Sequence, residues 1–446
     1  MNINRTTKPL DRTIHCGVAV VGGGIAGVMA AAAAAKSGAR TLIAESSTFL
    51  GGVVTMGPLE ALMTPEDSKG TVIAGMAREF LDFLRTLDSA ARAVEDTTGY
   101  CASIVPYDAE TMKFALLEFL HRYGVTVLTE ATLEEVEKDG ASISALCLRT
   151  KTGAVRVECS AVVDATGGGY ASYLAGNDVE VGDESGRSQP VTVLCRIGGV
   201  DIDLLKEYVA AHSGEFKTFQ KELHLQAERL HLWGFTGALK AGHDSGALRL
   251  LRNEIHMMQT TRPGEVIANY SRINADPLDP LALSEAQRQG MEQVRQLHSW
   301  FRRTIPAFAN SYIAQTGYVG VRESGRAVGR YTLTRDDIVA ARCGPTDVAM
   351  GAFPIDIHQS DDGMKFERIV SGYHIPQECL MARSVENLFL AGRCISATFE
   401  ANASCRISMT CMSTGHAAGV MAASCAAGTF TTEAVRGILK EQGAIL

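Results

Sequence analysis

The sequence predicts an α/β fold: a Rossmann-like domain with a parallel sheet and a β-meander, carrying an inserted α+β lobe. Three observations support this. The apolar run Val18-Ala19-Val20-Val21 leads into Gly22-Gly23-Gly24-Ile25-Ala26-Gly27 and an alanine-rich stretch to Lys36, the order strand, tight turn, helix. A second apolar strand, Ala161 to Asp164, ends on Ala165-Thr166-Gly167, and a third such segment, Asn387 to Arg393, stands near the far end of the chain. Between residues 176 and 370 no comparable glycine signature occurs.

Residues 1–14 are polar and read as a loosely attached leader. Residues 15–60 form the first βαβ unit. Gly22 suits the turn's unusual dihedrals, Gly24 lets backbone approach a pyrophosphate, and Gly27 lets helix and strand pack closely. The second strand, Arg40 to Ala44, ends in Glu45, about 20 residues past the turn, where a carboxylate accepts ribose hydroxyls. The unit points to a dinucleotide whose diphosphate meets the helix N-terminus. Met63 to Arg92 reads as mostly helical, on the spacing of Met76, Phe80, Phe83, Leu84 and Leu87. Asp108 to Tyr123 is an amphipathic helix feeding the strand Val125 to Leu128. A meander follows, Ile143 to Leu148 and Ala154 to Glu158 around the Lys151-Thr152-Gly153 turn, before Ala161 to Asp164 rejoins the parallel sheet. Beyond residue 176 lie the strand-like Val191 to Gly198 and the helical Ser284 to Thr304. The chain returns near Gly372 and closes with a helix, Thr410 to Ala427. Gly167-Gly168-Gly169 lacks the spacing of a second fingerprint, so no dedicated NAD(P)H domain is expected.

Three segments decide between dinucleotides. Phe49-Leu50-Gly51-Gly52-Val53-Val54-Thr55 resembles the Gly-Gly-x-x-Thr element of FAD enzymes built like glutathione reductase. Ala161 to Gly168 resembles their Ala-Thr-Gly strand end, and Asn387 to Thr398 resembles the last strand that delivers the chain to the isoalloxazine. Ser188 to Thr192, Arg196 to Asp201, Gly320 to Asp337 and Gly392 to Gly419 further resemble a bacterial family of FAD-dependent oxidoreductases related to the fumarate reductase flavoproteins. The resemblance covers residues 15–425 and implies FAD as cofactor. It implies cofactor contacts from Gly22, Gly24, Ile25, Ala26, Gly27, Glu45, Ser46, Gly51, Gly52, Thr55, Leu133, Ala165, Thr166, Gly167, Gly392, Arg393 and Thr410. It divides the chain into a discontinuous FAD-binding domain, residues 15–175 and 371–446, and a substrate or cap domain, 176–370.

Flavin performs hydride transfer; protein groups position the substrate and tune charge. Arg406 is the first catalytic candidate. Fumarate reductase relatives carry an arginine at a similar distance after their Ala-Gly motif, facing the substrate carboxylate, which its planar fork can bind bidentately. The bland alternative is that Arg406 serves flavin carbonyls or a nearby acid. Glu400 stands where the family implies His-Glu but this chain has Phe399-Glu400, so it is expected to neutralise Arg393 or Arg406 or to meet the ribityl chain. Arg322 and Arg326, four apart in a helix-compatible stretch, either share an anion or form a salt-bridged face with Glu323, Asp336 and Asp337. His374 is a candidate acid/base, against the commoner packed histidine. Cys394, Cys405 and Cys411 are read as small buried hydrophobes rather than flavin attachment points or a redox pair.

Composition sets the class. Hydrophobic residues at 46% and charged at 21% suit a soluble globular chain of 446 residues. A net charge of −8 argues against nucleic acid or anionic membrane as partner, and no apolar run is long enough to span a bilayer. The first 15 residues lack a signal peptide's apolar stretch, and eleven cysteines without a CxxC pair indicate reduced thiols in the cytoplasm, with no metal expected. The expected function is an FAD-dependent dehydrogenase or reductase passing hydride between flavin N5 and a small, polar, anionic substrate. An electron donor or acceptor completes the reaction, and homo-oligomerisation is left open. The alternatives are a flavin monooxygenase or a non-catalytic FAD-binding subunit. Aromatic hydroxylases carry Gly-Asp where this chain has Gly392-Arg393, and Asp-Gly where it has Asp164 to Gly167, which weighs against the first.

Overall fold

The computed structural model describes residues 12–59, 61–67, 69–219, 225–249, 252–361 and 363–446. Its centre is a parallel sheet in the order Leu388–Leu390, Ala161–Asp164, Val18–Val21, Thr41–Ala44, Thr126–Leu128. The inner strands are apolar at almost every position and buried at all of them; helices Ile25–Lys36 and Ser408–Ala426 pack on them, and apolar residues of the 132–158 meander join the same core. Helix Ile25–Lys36 and helix Ser408–Ala426 lie in direct contact, and both are buried nearly all round, so neither carries an amphipathic stripe. Small residues make this possible. A Cβ on Gly415 or Gly419 would stand 2.2 Å from the carbonyl oxygen of Ala26 or Ala30.

The meander is three antiparallel strands, Thr132–Asp139, Ser142–Thr150 and Gly153–Glu158. Asn387 ties it to the parallel sheet: its amide accepts from Ile143 N at 2.8 Å and donates to the Ile143 and Ser160 carbonyls. Arg12–His15 pairs in parallel with Gly153–Glu158. Residues 12–14 of the leader expected over residues 1–14 are therefore strand, and residues 1–11 lie outside the described residues. The helix expected from Met63 to Arg92 is confined to Met76–Leu87. Before it run a strand, Leu62–Met63, and a hairpin of Glu66–Asp67 with Gly70–Thr71. Left-handed backbone at Thr64 and Gly75 breaks any earlier helix. The helix Ala109–Arg122 forms as expected, with Asp108 Oδ1 accepting from Thr111 N at 2.7 Å.

A five-stranded antiparallel sheet runs in the order His231–Gly234, Ile255–Gln259, Val266–Asn269, Cys195–Gly198, Tyr312–Thr316. The strand expected over Val191 to Gly198 shortens to Cys195–Gly198, preceded by isolated bridges at Val191 and Thr192. Alternation divides its two faces. Cys195, Ile197, Leu232, Ile255, Met257, Val266 and Ala268 pack with Val294, Leu297 and Phe301 of the 25-residue helix Pro280–Thr304. Arg196, His231, Trp233, His256 and Met258 therefore point the other way, and Trp233 and Met258 meet Tyr100 and Phe353 there. Gln315 on the edge strand donates to the Thr55 carbonyl at 3.4 Å. The stretch holding Arg322 is not helical: Gly325–Ala327 is a strand paired with Val179–Val181, so Arg322 and Arg326 do not share a helix face. Ala327, Leu333, Ile338 and Val348 already belong to the core around the parallel sheet, well before Gly372.

Candidate active site

The glycine turn is built as a cradle. Gly22 has φ 100°, and a Cβ there would lie 2.4 Å from the Ala165 oxygen; one on Gly27 would lie 1.9 Å from the Gly22 oxygen. Gly24 differs, since its Cβ would meet no protein atom within 4 Å. Open space thus faces the N-terminus of Ile25–Lys36, which has no side-chain cap. Free first-turn N–H groups suit a phosphate there. Glu45 is fixed beside it, Oε2 accepting from Gly23 N at 2.6 Å and Oε1 from the Ser47 N and hydroxyl at 2.7 Å. Lone pairs remain for ribose hydroxyls. Ser46 is exposed and only touches Glu45.

Gly51 and Gly52 continue the cradle with φ 102° and 56°, and Gly51 N donates to the Gly23 oxygen at 2.7 Å. Thr55 is fully buried and spends its hydroxyl on the Leu50 carbonyl. Thr166 likewise bonds Asp164 and caps Tyr170. Leu133 is buried in the meander opposite Leu148; the residue that meets Glu45 is Ala131, through its N–H. Gly392, at φ 76°, donates to Thr414 Oγ1 at 3.0 Å. Arg393 joins three segments: its Nε donates to Gly167 O at 2.9 Å, its Nη1 to Val321 O, and its own carbonyl takes Asn402 Nδ2 at 2.8 Å.

A buried group of arginines adjoins this cradle. Helix Phe399–Cys405, capped by Thr398, ends at Arg406, and helix Ser408–Ala426 starts two residues later. Arg406 Nη2 donates to the Asp356 carbonyl at 3.2 Å and lies 3.7 Å from its carboxylate, while its buried Nε has no acceptor. Arg322 donates to Pro190 O at 2.6 Å and Thr192 Oγ1 at 3.3 Å, with no carboxylate among these partners. Arg272 donates to the Gln359 and Gly363 carbonyls and to His358 Nδ1 at 2.9 Å. That assigns the His358 proton to Nε2, which donates to Asp356 Oδ2 at 3.1 Å. The Tyr100 hydroxyl acts on the same carboxylate electrostatically.

One carboxylate, Asp356, is shared by Arg322, Arg406 and His358. Burial opposes its charge, but His358, Arg406 and Tyr100 outweigh that and hold it below the ordinary carboxylate range. Burial, reinforced by Arg322 and Arg252, pushes His358 down to about 3, so its imidazole is neutral at neutral pH. Burial, then Arg406 and Arg272, lowers Arg322 as well. Beside this group runs a second buried row: Asp96 accepts from Thr98 N, Cys101 N and His231 Nδ1, and His231 Nε2 meets His256 Nε2. The His256 ring packs on Trp233 and faces Tyr100, with centroids 4.6 and 6.2 Å away.

Of the expected catalytic residues, Arg406 and Arg322 come together, and two others do not. Glu400 is exposed and pairs with neither Arg393 nor Arg406; Asp356 faces Arg406 instead. Glu400 lines the wall of a 920 Å³ pocket with Phe399, Gln189 and His358. His374 lies on the strand face opposite Tyr373, whose hydroxyl meets Ser404, and sits beside Asp347. Arg326 is fully engaged with Glu323, Gly182 O and Ala397 O, not with Asp336 or Asp337. Thr410 is buried in the first turn of the long C-terminal helix. Cys394, Cys405 and Cys411 are buried, and burial raises each thiol, as expected of inert packing. Tyr100, Arg272, Asp356 and His358 went unrecognised. Alternation in Ile355-Asp356-Ile357-His358 was the one legible sign, placing both polar residues on one strand face.

Among the described residues no helix is long and apolar enough to cross a membrane. The family model for FAD-dependent oxidoreductases matches residues 17–443. No curated protein matches the chain. The chain is similar in fold to a p-nitrophenol 4-monooxygenase from Pseudomonas putida DLL-E4, with TM-score 0.50 at 13% identity over 96% of this chain and 84% of that one. It is similar also to the flavin-dependent brominase Bmp2, with TM-score 0.51 at 13% identity over 96% and 83%. At such identity these likenesses establish the fold.

Proposed function

The chain belongs to the FAD-dependent oxidoreductase family, an enzyme using FAD, and from that premise we propose a dehydrogenase or reductase of a small anionic substrate. Bound FAD would be held by the glycine cradle, Glu45 and the turns at Gly51, Gly167 and Gly392, and would supply hydride acceptance or donation at its N5. The chain's own residues bind and orient. One observation carries the reading: Arg322 and Arg406 share a single carboxylate, Asp356, with the Arg406 Nε unused. A buried guanidinium nitrogen left without an acceptor favours an anionic ligand that completes the pairing. Tyr100 and the neutral His358 fix Asp356, so Arg406 is held in one orientation.

The 920 Å³ pocket beside His358 and Glu400 is the proposed approach for substrate. The substrate-side lobe is taken to be the excursion that begins near Gly176 and contains the antiparallel sheet, whose polar face turns toward Tyr100. The place of Arg406 after the last flavin strand supports kinship with fumarate reductase flavoproteins as part of this proposal. Cytoplasmic residence belongs to it too, on the eleven unpaired cysteines. The test is anaerobic titration of the yellow protein with a library of small anions and their neutral analogues. Bleaching of the flavin by an anion alone is expected. Substrate turnover that requires both NAD(P)H and oxygen, with a hydroxylated product, would replace this reading by the monooxygenase one.

A further inference from the structure

His374, which the sequence suggested as an acid/base, lies in a different cluster. It faces Asp347 and Cys343, and the ligand atoms of the three lie within 4.8 Å of one another. Cys343 stands in the loop between the short helix Arg335–Val339 and strand Asp347–Gly351; His374 is on Tyr373–Pro376, the antiparallel neighbour of that strand. Strand pairing thus brings together residues that the sequence separates by about thirty positions. The three offer a thiol, a carboxylate and an imidazole, the donor types zinc accepts.

The detailed geometry favours an ion over a simple ion pair. His374 Nδ1 is buried and has no hydrogen-bond partner, and it stops 3.7 Å from Asp347 Oδ2. That is too far for a hydrogen bond, yet near the spacing of roughly 3.3 Å expected for two ligands around a tetrahedral zinc. Asp347 is buried and its Oδ2 accepts from Gly344 N at 2.5 Å, which orients the carboxylate. The nearby Arg436 is spent on the backbone oxygen of Asp347. Cys343 is the exposed member, so the cluster is open to solvent on its side, from which water would supply a fourth ligand.

We propose that Cys343, Asp347 and His374 form a divalent-cation site, zinc by preference, that clips the 340–347 loop to the neighbouring strand. Binding would deprotonate Cys343, releasing one proton to solvent, and thiolate plus carboxylate would balance the dication. The site is separate from the arginine group and does not depend on the substrate reading.

The FAD-loaded protein, stripped with a chelator, is titrated with Co(II). One equivalent should bind with a near-ultraviolet sulfur-to-cobalt charge-transfer band. C343S should lose the band, and H374A should weaken binding by roughly tenfold or more. Both variants should keep the flavin spectrum, which reports folding. With Zn(II), alkylation of Cys343 followed by mass spectrometry should slow sharply, since Cys343 is the one exposed cysteine among eleven. Absence of the band, a band unchanged in C343S, or alkylation indifferent to Zn(II) would each overturn the proposal.

Discussion

Arg406 places Nη2 3.2 Å from the backbone oxygen of Asp356 and 3.7 Å from its carboxylate, leaving a buried Nε without an acceptor. An arginine satisfied by its own fold would make a bidentate pair. This one is positioned by Asp356 but not used up by it, at the break between two helices whose second N-terminus is uncapped. Both features favour negative charge at this point.

Arg406→Ala should therefore retain FAD and its visible spectrum but slow flavin reduction by substrate about 10²-fold or more, as expected when a charged transition-state contact is removed. Anaerobic stopped-flow on the yellow variant measures this. Arg406→Lys should recover little, because an ammonium keeps the charge but not the fork. Loss of FAD from the alanine variant would instead assign Arg406 to the cofactor, and unchanged reduction would remove it from the site.

Gly24→Val separates cofactor binding from folding. Gly24 has φ −62°, which valine adopts freely, and its Cβ would enter open space. The variant should be folded, colourless, and should show no rise in Tm with added FAD, whereas the wild type should be stabilised by it. Gly22→Val should fail to fold, because φ is 100° and Ala165 O would lie 2.4 Å from the new Cβ. A yellow Gly24→Val protein would show that this turn does not hold the diphosphate.

Much of the cofactor cradle was legible because its requirements are local. Gly22, Gly24 and Gly27 each answer a steric demand within a few residues, and Glu45 follows from the strand after them. Asn387 was readable as part of a motif, though its task of bonding Ile143 and Ser160 was not. The arginine group was barely legible. Arg272, Arg322, Asp356 and Arg406 meet only through tertiary packing, and each alone looks like an ordinary charged residue. The boundary of the helix expected from Met63 also misled: left-handed backbone at Thr64 and Gly75 overrules it before Met76, while the apolar spacing from Met76 to Leu87 is that of the observed helix. The Arg322/Arg326 pair failed for a related reason. Their spacing suits a helix, but Gly325–Ala327 is drawn into a strand against Val179–Val181.

Helix contact in the core should be intolerant at one glycine and tolerant at another. Gly419→Ala places a methyl 2.2 Å from the Ala30 carbonyl, backbone that cannot step aside, and should cost about 1–3 kcal/mol. Gly437→Ala, in helix Thr432–Glu441 with no atom within 4 Å of the new methyl, should stabilise by about 0.5–1 kcal/mol. Urea unfolding of the two variants in parallel checks both signs. Equal effects would mean that the long C-terminal helix can shift away from the first.

His416 gives the protein an acid-sensitive joint. It reaches from the long C-terminal helix to the start of helix Met76–Leu87, whose preceding Gly75 offers no side-chain cap. His416 Nδ1 accepts from Met76 N at 3.3 Å, and Nε2 bonds Gln442 Oε1 at 2.8 Å. The imidazole must stay neutral to do both. Burial lowers its pKa to about 4, with Gln442 opposing and Lys36 assisting. The folded protein thus refuses a proton that the unfolded chain accepts below its ordinary value of 6.5. This contribution is fully present above pH 6.5 and is lost progressively as pH falls toward about 4. Each pH unit within that window should cost about 1.4 kcal/mol. His416→Asn keeps an acceptor near Nδ1 but cannot titrate. Its urea midpoint should therefore fall less than the wild type's between pH 6.5 and pH 5. Other buried histidines, His358 among them, are common to both proteins, so the difference isolates this one. Parallel pH profiles for the two would show that His416 carries its proton in the folded state, and that helix Met76–Leu87 is capped some other way.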